Sequence, residues 1–165
     1  MYASDALIVA AVAFVAVASC FALTGFASAG TEAPVGYWRV IDDRSDTAKG
    51  IIEIREVNGA LEGRMVKLLD REGKDPNPTC DGCPGDRKGQ PIQGMTVLWG
   101  LERQDDQWAG GTILDPSSGD TYDAAVKLAE NGKELDVRGY IGFSLLGRTQ
   151  VWERVDEPAG QPGNK

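Results

Sequence analysis

Residues 50–69 read GIIEIREVNGALEGRMVKLL. On both sides of Asn58-Gly59, apolar residues such as Ile52, Ile54 and Leu61 are interleaved with charged ones such as Glu53, Arg55 and Glu62. A period of two is the mark of a strand with one face buried. Asn-Gly is favoured in a two-residue hairpin turn, because both central positions take positive φ at little cost. The stretch therefore predicts two antiparallel strands, Gly50 to Val57 and Leu61 to Leu69.

The same grammar repeats outward. Short apolar stretches, many alternating, recur at intervals of roughly ten residues between turn residues, as in an all-β meander. They predict further strands at Gly36 to Ile41, Thr96 to Gln104, Gln107 to Leu114, Thr121 to Leu128, Glu134 to Ile141 and Arg148 to Val155. Asp105-Asp106 and Asn131-Gly132 fit tight turns, and Asp115-Pro116-Ser117-Ser118-Gly119 fits a longer one. Consecutive hairpins make sequence neighbours antiparallel neighbours, and about eight strands suffice to close a small barrel. The expected fold is a small all-β, antiparallel, up-and-down barrel rather than a sandwich, whose crossovers need longer connections. Gly63, Gly100, Gly110, Gly111 and Gly139 inside strands permit the coiling that such a barrel demands.

The chain's 165 residues hold one domain, read as residues 30–156. Residues 1–29 read as a signal peptide, with an uncharged apolar run from Ala6 to Ala18 and Ala27-Ser28-Ala29 before Gly30. Its only charge is Asp5, where a secretory leader usually carries Lys or Arg. Two other fates stay open: retention as an anchor, against which Thr24, Gly25 and Ser28 interrupt the run, and lipidation at Cys20, against which Phe21 and Leu23 follow instead of a polar tether. Cleavage after Ala29 is the favoured reading. It implies a periplasmic or secreted protein that meets the membrane only through its leader. Residues 157–165, rich in Pro and Gly, read as a disordered tail.

The formal charge is −8, and removal of the leader leaves −7 from 17 basic and 24 acidic residues. Nucleic acid is therefore not an expected partner. Histidine is absent, which removes Ser-His-Asp and Cys-His catalysis and every His-based zinc motif. Asp42-Asp43 and Asp105-Asp106 lie at turns, where Asp serves turn geometry. No catalytic residue, metal site or cofactor is expected, and the chain does not read as an enzyme.

One long connection, Asp70 to Pro91, contains four prolines and Cys80-Asp81-Gly82-Cys83. Pro excludes it from a central strand. Without the leader these are the only two cysteines, and an oxidising compartment would join them in a local disulfide. A redox role for this Cys-x-x-Cys pair would want the first thiol at a helix N-terminus. Here Pro84-Gly85 follows, and Asp81 and Asp86 would raise a thiol pKa. Two thiolates with carboxylates alone make a thin zinc site. A structural clip is the favoured reading.

On the last strand Arg148, Gln150, Trp152 and Arg154 share one parity, against Thr149, Val151 and Val155. If that face points inward it lines a lumen suited to a polar or anionic ligand; if outward, it is a solvated wall. Trp99, Tyr140 and Trp152 are candidate apolar walls, and Arg138, Arg148 and Gln150 candidate polar contacts. Gly36-Tyr37-Trp38 near the start, with an Arg in the final strand, resembles the calycin pattern of lipocalins and avidins. That resemblance implies a cation-π contact of Trp38 with Arg154 or Arg148 in a structural role.

From Gly36 to Arg154 the chain also resembles the bacterial secreted family known as domain of unknown function 2147. Gly36-Tyr37-Trp38, Leu61-Glu62-Gly63, Cys80-Asp81-Gly82-Cys83, Gly110-Gly111-Thr112-Ile113, Asp115-Pro116, Val137-Arg138-Gly139-Tyr140-Ile141-Gly142 and Gly147-Arg148-Thr149-Gln150-Val151-Trp152 carry the likeness. It implies a secreted or periplasmic location and assigns no activity. The leading expectation is a non-enzymatic barrel that binds a small amphipathic or anionic envelope molecule. The alternative is a solid barrel whose 70–91 loop meets an envelope protein.

Overall fold

The computed structural model describes residues 33–129, 131–143 and 145–159. The proposed leader, Cys20 and the tail beyond residue 159 lie outside the described residues. Eight strands run in order: β1 (Gly36–Asp42), β2 (Thr47–Val57), β3 (Ala60–Leu68), β4 (Thr96–Gln104), β5 (Gln107–Leu114), β6 (Thr121–Leu128), β7 (Glu134–Tyr140) and β8 (Gly147–Val155). Each pairs antiparallel with the next, and β8 returns to β1, giving a closed up-and-down barrel. This is the expected class and strand count. β2 starts three residues early, because Thr47 and Ala48 still pair with Asp42 and Ile41 across a bulge after Val40. Further register shifts fall at Leu61/Gly63, Gly63/Arg64 and Ala109/Gly111, where glycines let the strands bend.

Because the strands alternate in direction, the connections divide between two ends. One end holds the chain entry at Pro34 and Val35 and the short turns after β2, β4 and β6. It is sealed by Trp38, which is fully buried and donates Nε1–H to the Pro34 carbonyl at 2.9 Å. The Arg154 guanidinium lies over the indole, 4.4 Å from the ring centre. It donates from Nε to Gly132 O at 2.6 Å and from Nη1 to Val35 O at 2.9 Å. Gly36, at φ +129°, makes room, since a Cβ there would stand 2.9 Å from Arg154 Nη1. Three chain segments, the entry into β1, the β6–β7 turn and β8, are thus tied through one cation.

Above this seal, Ile52, Ile54, Leu61, Leu98, Leu101, Val126, Leu135, Val137 and Trp152 are all buried to 2 % exposure or less. Side chains, not space, fill the sealed part of the barrel.

The connection between β3 and β4 crosses the other end. Cys80 and Cys83 are disulfide-bonded, 5.4 Å apart at Cα. At 1 % and 3 % exposure they join Ile92, Met95 and Leu114 in the core, so the expected clip is also a packing element. The loop pairs with itself at Thr79 and Pro91, with Cys80 N–H on Gln90 O and Ile92 N–H on Pro78 O. One short 3-10 turn, Gly85–Arg87, follows Pro84. Gly82 sits backbone to backbone against the β5–β6 turn: a Cβ on Gly119 would be 2.0 Å from Gly82 O, and one on Gly82 would be 2.4 Å from Ser118 O.

Three exposed carboxylates are held below the usual range: Asp42 by the N–H groups of Arg44 and Ser45, Asp70 by Lys74 and then Lys49, and Asp106 by Lys127. Tyr37 moves the other way. Burial, and then the Glu53 carboxylate it donates to at 3.2 Å, push its phenol up to about 12.

Two outcomes follow from this architecture. Arg154→Ala removes the stack and both carbonyl bonds and should destabilise the barrel by about 3 kcal/mol in urea unfolding, with Gly36→Ala costing about 1–3 kcal/mol through strain alone. Lowered folded-state pKa values mean that the native state binds fewer protons than the unfolded one. The stabilisation is present above the ordinary carboxylate range and lost as pH falls through the lowered values. The urea midpoint should fall on acidification, and less steeply in Asp70→Asn.

Candidate functional site

β8 settles which way its mixed face points. Trp152 is 1 % exposed and belongs to the core, so Arg148, Gln150 and Arg154 share its inward parity, while Thr149, Val151 and Glu153 face out. Arg154, at the sealed end, meets Trp38; Arg148, six residues earlier, stands at the opposite end. Trp152 donates Nε1–H to Gln150 Oε1 at 3.3 Å, so the indole forms a floor with the amide above it.

The register then sorts the other candidates. Val137 pairs with Gln150 and Gly139 with Arg148, which places Val137 and Gly139 on the inner face. Arg138 and Tyr140 therefore face out, and Arg138 donates to Thr149 Oγ1 at 3.0 Å on that outer wall. The structure does not bring them together with Arg148. Trp99 is also elsewhere: β4 lies across the barrel from β8, and the half-buried indole is covered by the Arg87 guanidinium, 4.2 Å from its ring centre. Of the six candidate contacts, Arg148, Gln150 and Trp152 share one inner face, and Arg138, Tyr140 and Trp99 lie outside it.

Towards the loop end, the inward side chains become partly exposed. Ile113 on β5 pairs with Tyr122 on β6, while Gly139 on β7 pairs with Ala124 on β6 and with Arg148 on β8, so Tyr122 stands two residues along β6 from the partner of Gly139. Ile113, Tyr122, Gly139 and Gln150 are all half-exposed, as is Val40 on β1, which packs against the core. A Cβ on Gly139 would stand 3.6 Å from both Ile113 Cγ2 and Tyr122 Cβ. The missing side chain leaves room for at least a Cβ beside Arg148, at ordinary contact distance from Ile113 and Tyr122. At the mouth of the barrel these half-exposed inner residues include polar groups of Tyr122 and Gln150, with Arg148 exposed at the rim and Trp152 buried beneath Gln150.

Two features of this mouth escaped the sequence reading. Arg148 is held by Asp43, from the turn between β1 and β2, through both Nε and Nη2. The β7–β8 connection carries Ile141, Phe143, Leu145 and Leu146 at 72 to 90 % exposure. Large apolar side chains in a turn are the available signal, but the alternation of β7 runs on through Ile141 in the sequence and masks it. Among the described residues there is no cluster of three metal-ligating side chains.

One solved structure and one family profile bear on the fold. The barrel is similar to Protein HP1028 from the human pathogen Helicobacter pylori, which is described as belonging to the lipocalin family. The TM-score is 0.64 over 76 % of this chain and 84 % of that one, at 19 % identity. At that identity the likeness speaks for the fold, a lipocalin-like barrel. No curated protein matches the sequence. A family profile matches residues 36–154, which run from the glycine beside the Trp38 seal to the arginine that closes it. The chain belongs to the family described as uncharacterized protein conserved in bacteria, DUF2147.

Proposed function

We propose that this protein binds a small amphipathic molecule at the loop-end mouth of its barrel and is not an enzyme. The observation that carries the reading is the gap at Gly139, where half-exposed inner residues surround a position without a side chain. Val40 and Ile113, half-exposed on the inner face, suit the apolar part of a ligand. Tyr122, Gln150 and the Arg148 guanidinium, whose charge Asp43 offsets, suit a polar head. These are hydrogen-bonding groups rather than a nucleophile with its base. Because the sealed part of the barrel is full, the ligand sits shallow, and the exposed Ile141, Phe143, Leu145 and Leu146 next to the rim are placed to cover it.

Anilinonaphthalene sulfonate, an anionic amphiphile, is a suitable probe. Gly139→Leu has no positive φ to oppose it and only ordinary contacts at Cβ, yet its side chain would fill the gap. It should weaken probe binding by about tenfold or more while the thermal midpoint holds. Equal binding by the variant and the parent would overturn the reading.

We also propose that the domain works in the periplasm or outside the cell after loss of residues 1–29. The core disulfide supports this, since such bonds persist in oxidising compartments. Intact mass of the protein from its own source should correspond to a chain starting at Gly30. A mass that retains the leader, or adds a lipid at Cys20, would contradict it.

A further inference from the structure

A second concavity lies on the outer wall, away from the mouth. Asp86, Arg87, Gln90, Gly94, Met95 and Thr96 line a cleft of about 380 Å³ between the 3-10 turn and the start of β4. The Arg87 guanidinium lines it, and that of Arg64 stands beside it, bonded to the carbonyl of the lining residue Gly94. Arg87 is half-buried and stacked on Trp99, which occupies one face of its plane and leaves the N–H edge for hydrogen bonding. Arg64 pairs across the strands with Thr96, donates Nε–H to Gly94 O at 2.8 Å, and has Nη2 3.4 Å from where a Gly94 Cβ would be.

In a chain of charge −8, six basic side chains are ion-paired among the described residues, and neither Arg64 nor Arg87 is one of them. Asp86 contributes one carboxylate to the lining, and its backbone carbonyl already takes the Gln90 amide at 2.6 Å. Within the lining Arg87 and Asp86 offset each other, and Arg64, bonded at Gly94, adds one positive charge beside the Thr96 hydroxyl. Stacking on an indole fixes a guanidinium in advance, so less freedom is lost when it receives a ligand.

We propose that this cleft is a binding site for a small molecule bearing an oxyanion, a carboxylate or a phosphate, held by Arg87 and Arg64 with Thr96 as a further donor. Trp99, which the sequence suggested as a wall of the lumen, serves this outer site instead, as the shelf under Arg87. The disulfide-clipped connection is then a binding element in its own right, independent of the mouth.

The test is a titration of the full domain with succinate, with inorganic phosphate, and with sodium chloride at matched ionic strength, read by NMR at the arginine Nε–H groups and the Gly94 and Thr96 amides. Succinate or phosphate should give saturable shifts at Arg87 and Arg64 that chloride does not reproduce, and the arm that saturates first identifies the oxyanion. Arg87→Gln should weaken binding about tenfold, with the Trp38 and Trp152 indole signals unmoved as evidence of an intact barrel. Shifts equal in the chloride arm, no saturation in either oxyanion arm, or shifts that survive in an Arg64→Gln/Arg87→Gln variant would overturn the proposal.

Discussion

The cation on the indole at the sealed end is the constraint from which the rest follows. Arg154 is on the last strand and Trp38 on the first, so their stack joins the two ends of the domain and closes the sheet on itself. The geometry admits little freedom: Nε and Nη1 are bound to two backbone carbonyls, and Nη2 is buried with no hydrogen-bond partner among the described residues. Charge without full hydrogen bonding is tolerable there because the negative face of the ring lies beneath it. Once Arg154 points inward, alternation obliges Trp152, Gln150 and Arg148 to point inward too. The character of the far end is thereby fixed at the near one.

The two ends solve different problems. At the sealed end short turns and one tryptophan suffice. At the loop end the wall formed by β3 to β6 is covered by a long connection, which needs its own anchorage because proline-rich segments lack a continuous ladder. The disulfide and Ile92 anchor it by burial, and the glycine-to-glycine contact with the β5–β6 turn anchors it laterally. A four-residue ring would remove only about 2 kcal/mol of unfolded-chain entropy. The burial of the two half-cystines therefore matters as much as the crosslink. The β7, β8 and β1 side is left to the mouth and to an apolar turn.

Much of this was legible in the residues. The hairpin around Asn58-Gly59 and the regular turn spacing gave the strand count and the up-and-down order, and the last strand's alternation exposed its two-faced character. Parity was not legible, because a period of two specifies two faces without saying which is inside; the Trp38–Arg154 stack supplies that. Grouping Arg138 with Arg148 failed for a related reason. Relative facing of residues on neighbouring strands depends on register, and only the pairing of Gly139 with Arg148 reveals that Arg138 is on the outer wall. Trp99 was beyond reach because its partner Arg87 lies in a connection whose path is set by tertiary packing. Gly139 read as an aid to coiling, yet it sits in regular register and its effect is to leave room.

Closure also dictates an order of events. β1 is completed only by residues more than a hundred positions away, so the domain has high contact order and its last pairing must await the final strand. Until β8 arrives, β1 and β7 are both open edges, each able to accept a strand from another molecule. A chain cut short before Val155 would keep most of its hydrophobic sequence and lose its only means of hiding those edges. Synthesis through the last strand is therefore what separates a closed barrel from a template for aggregation.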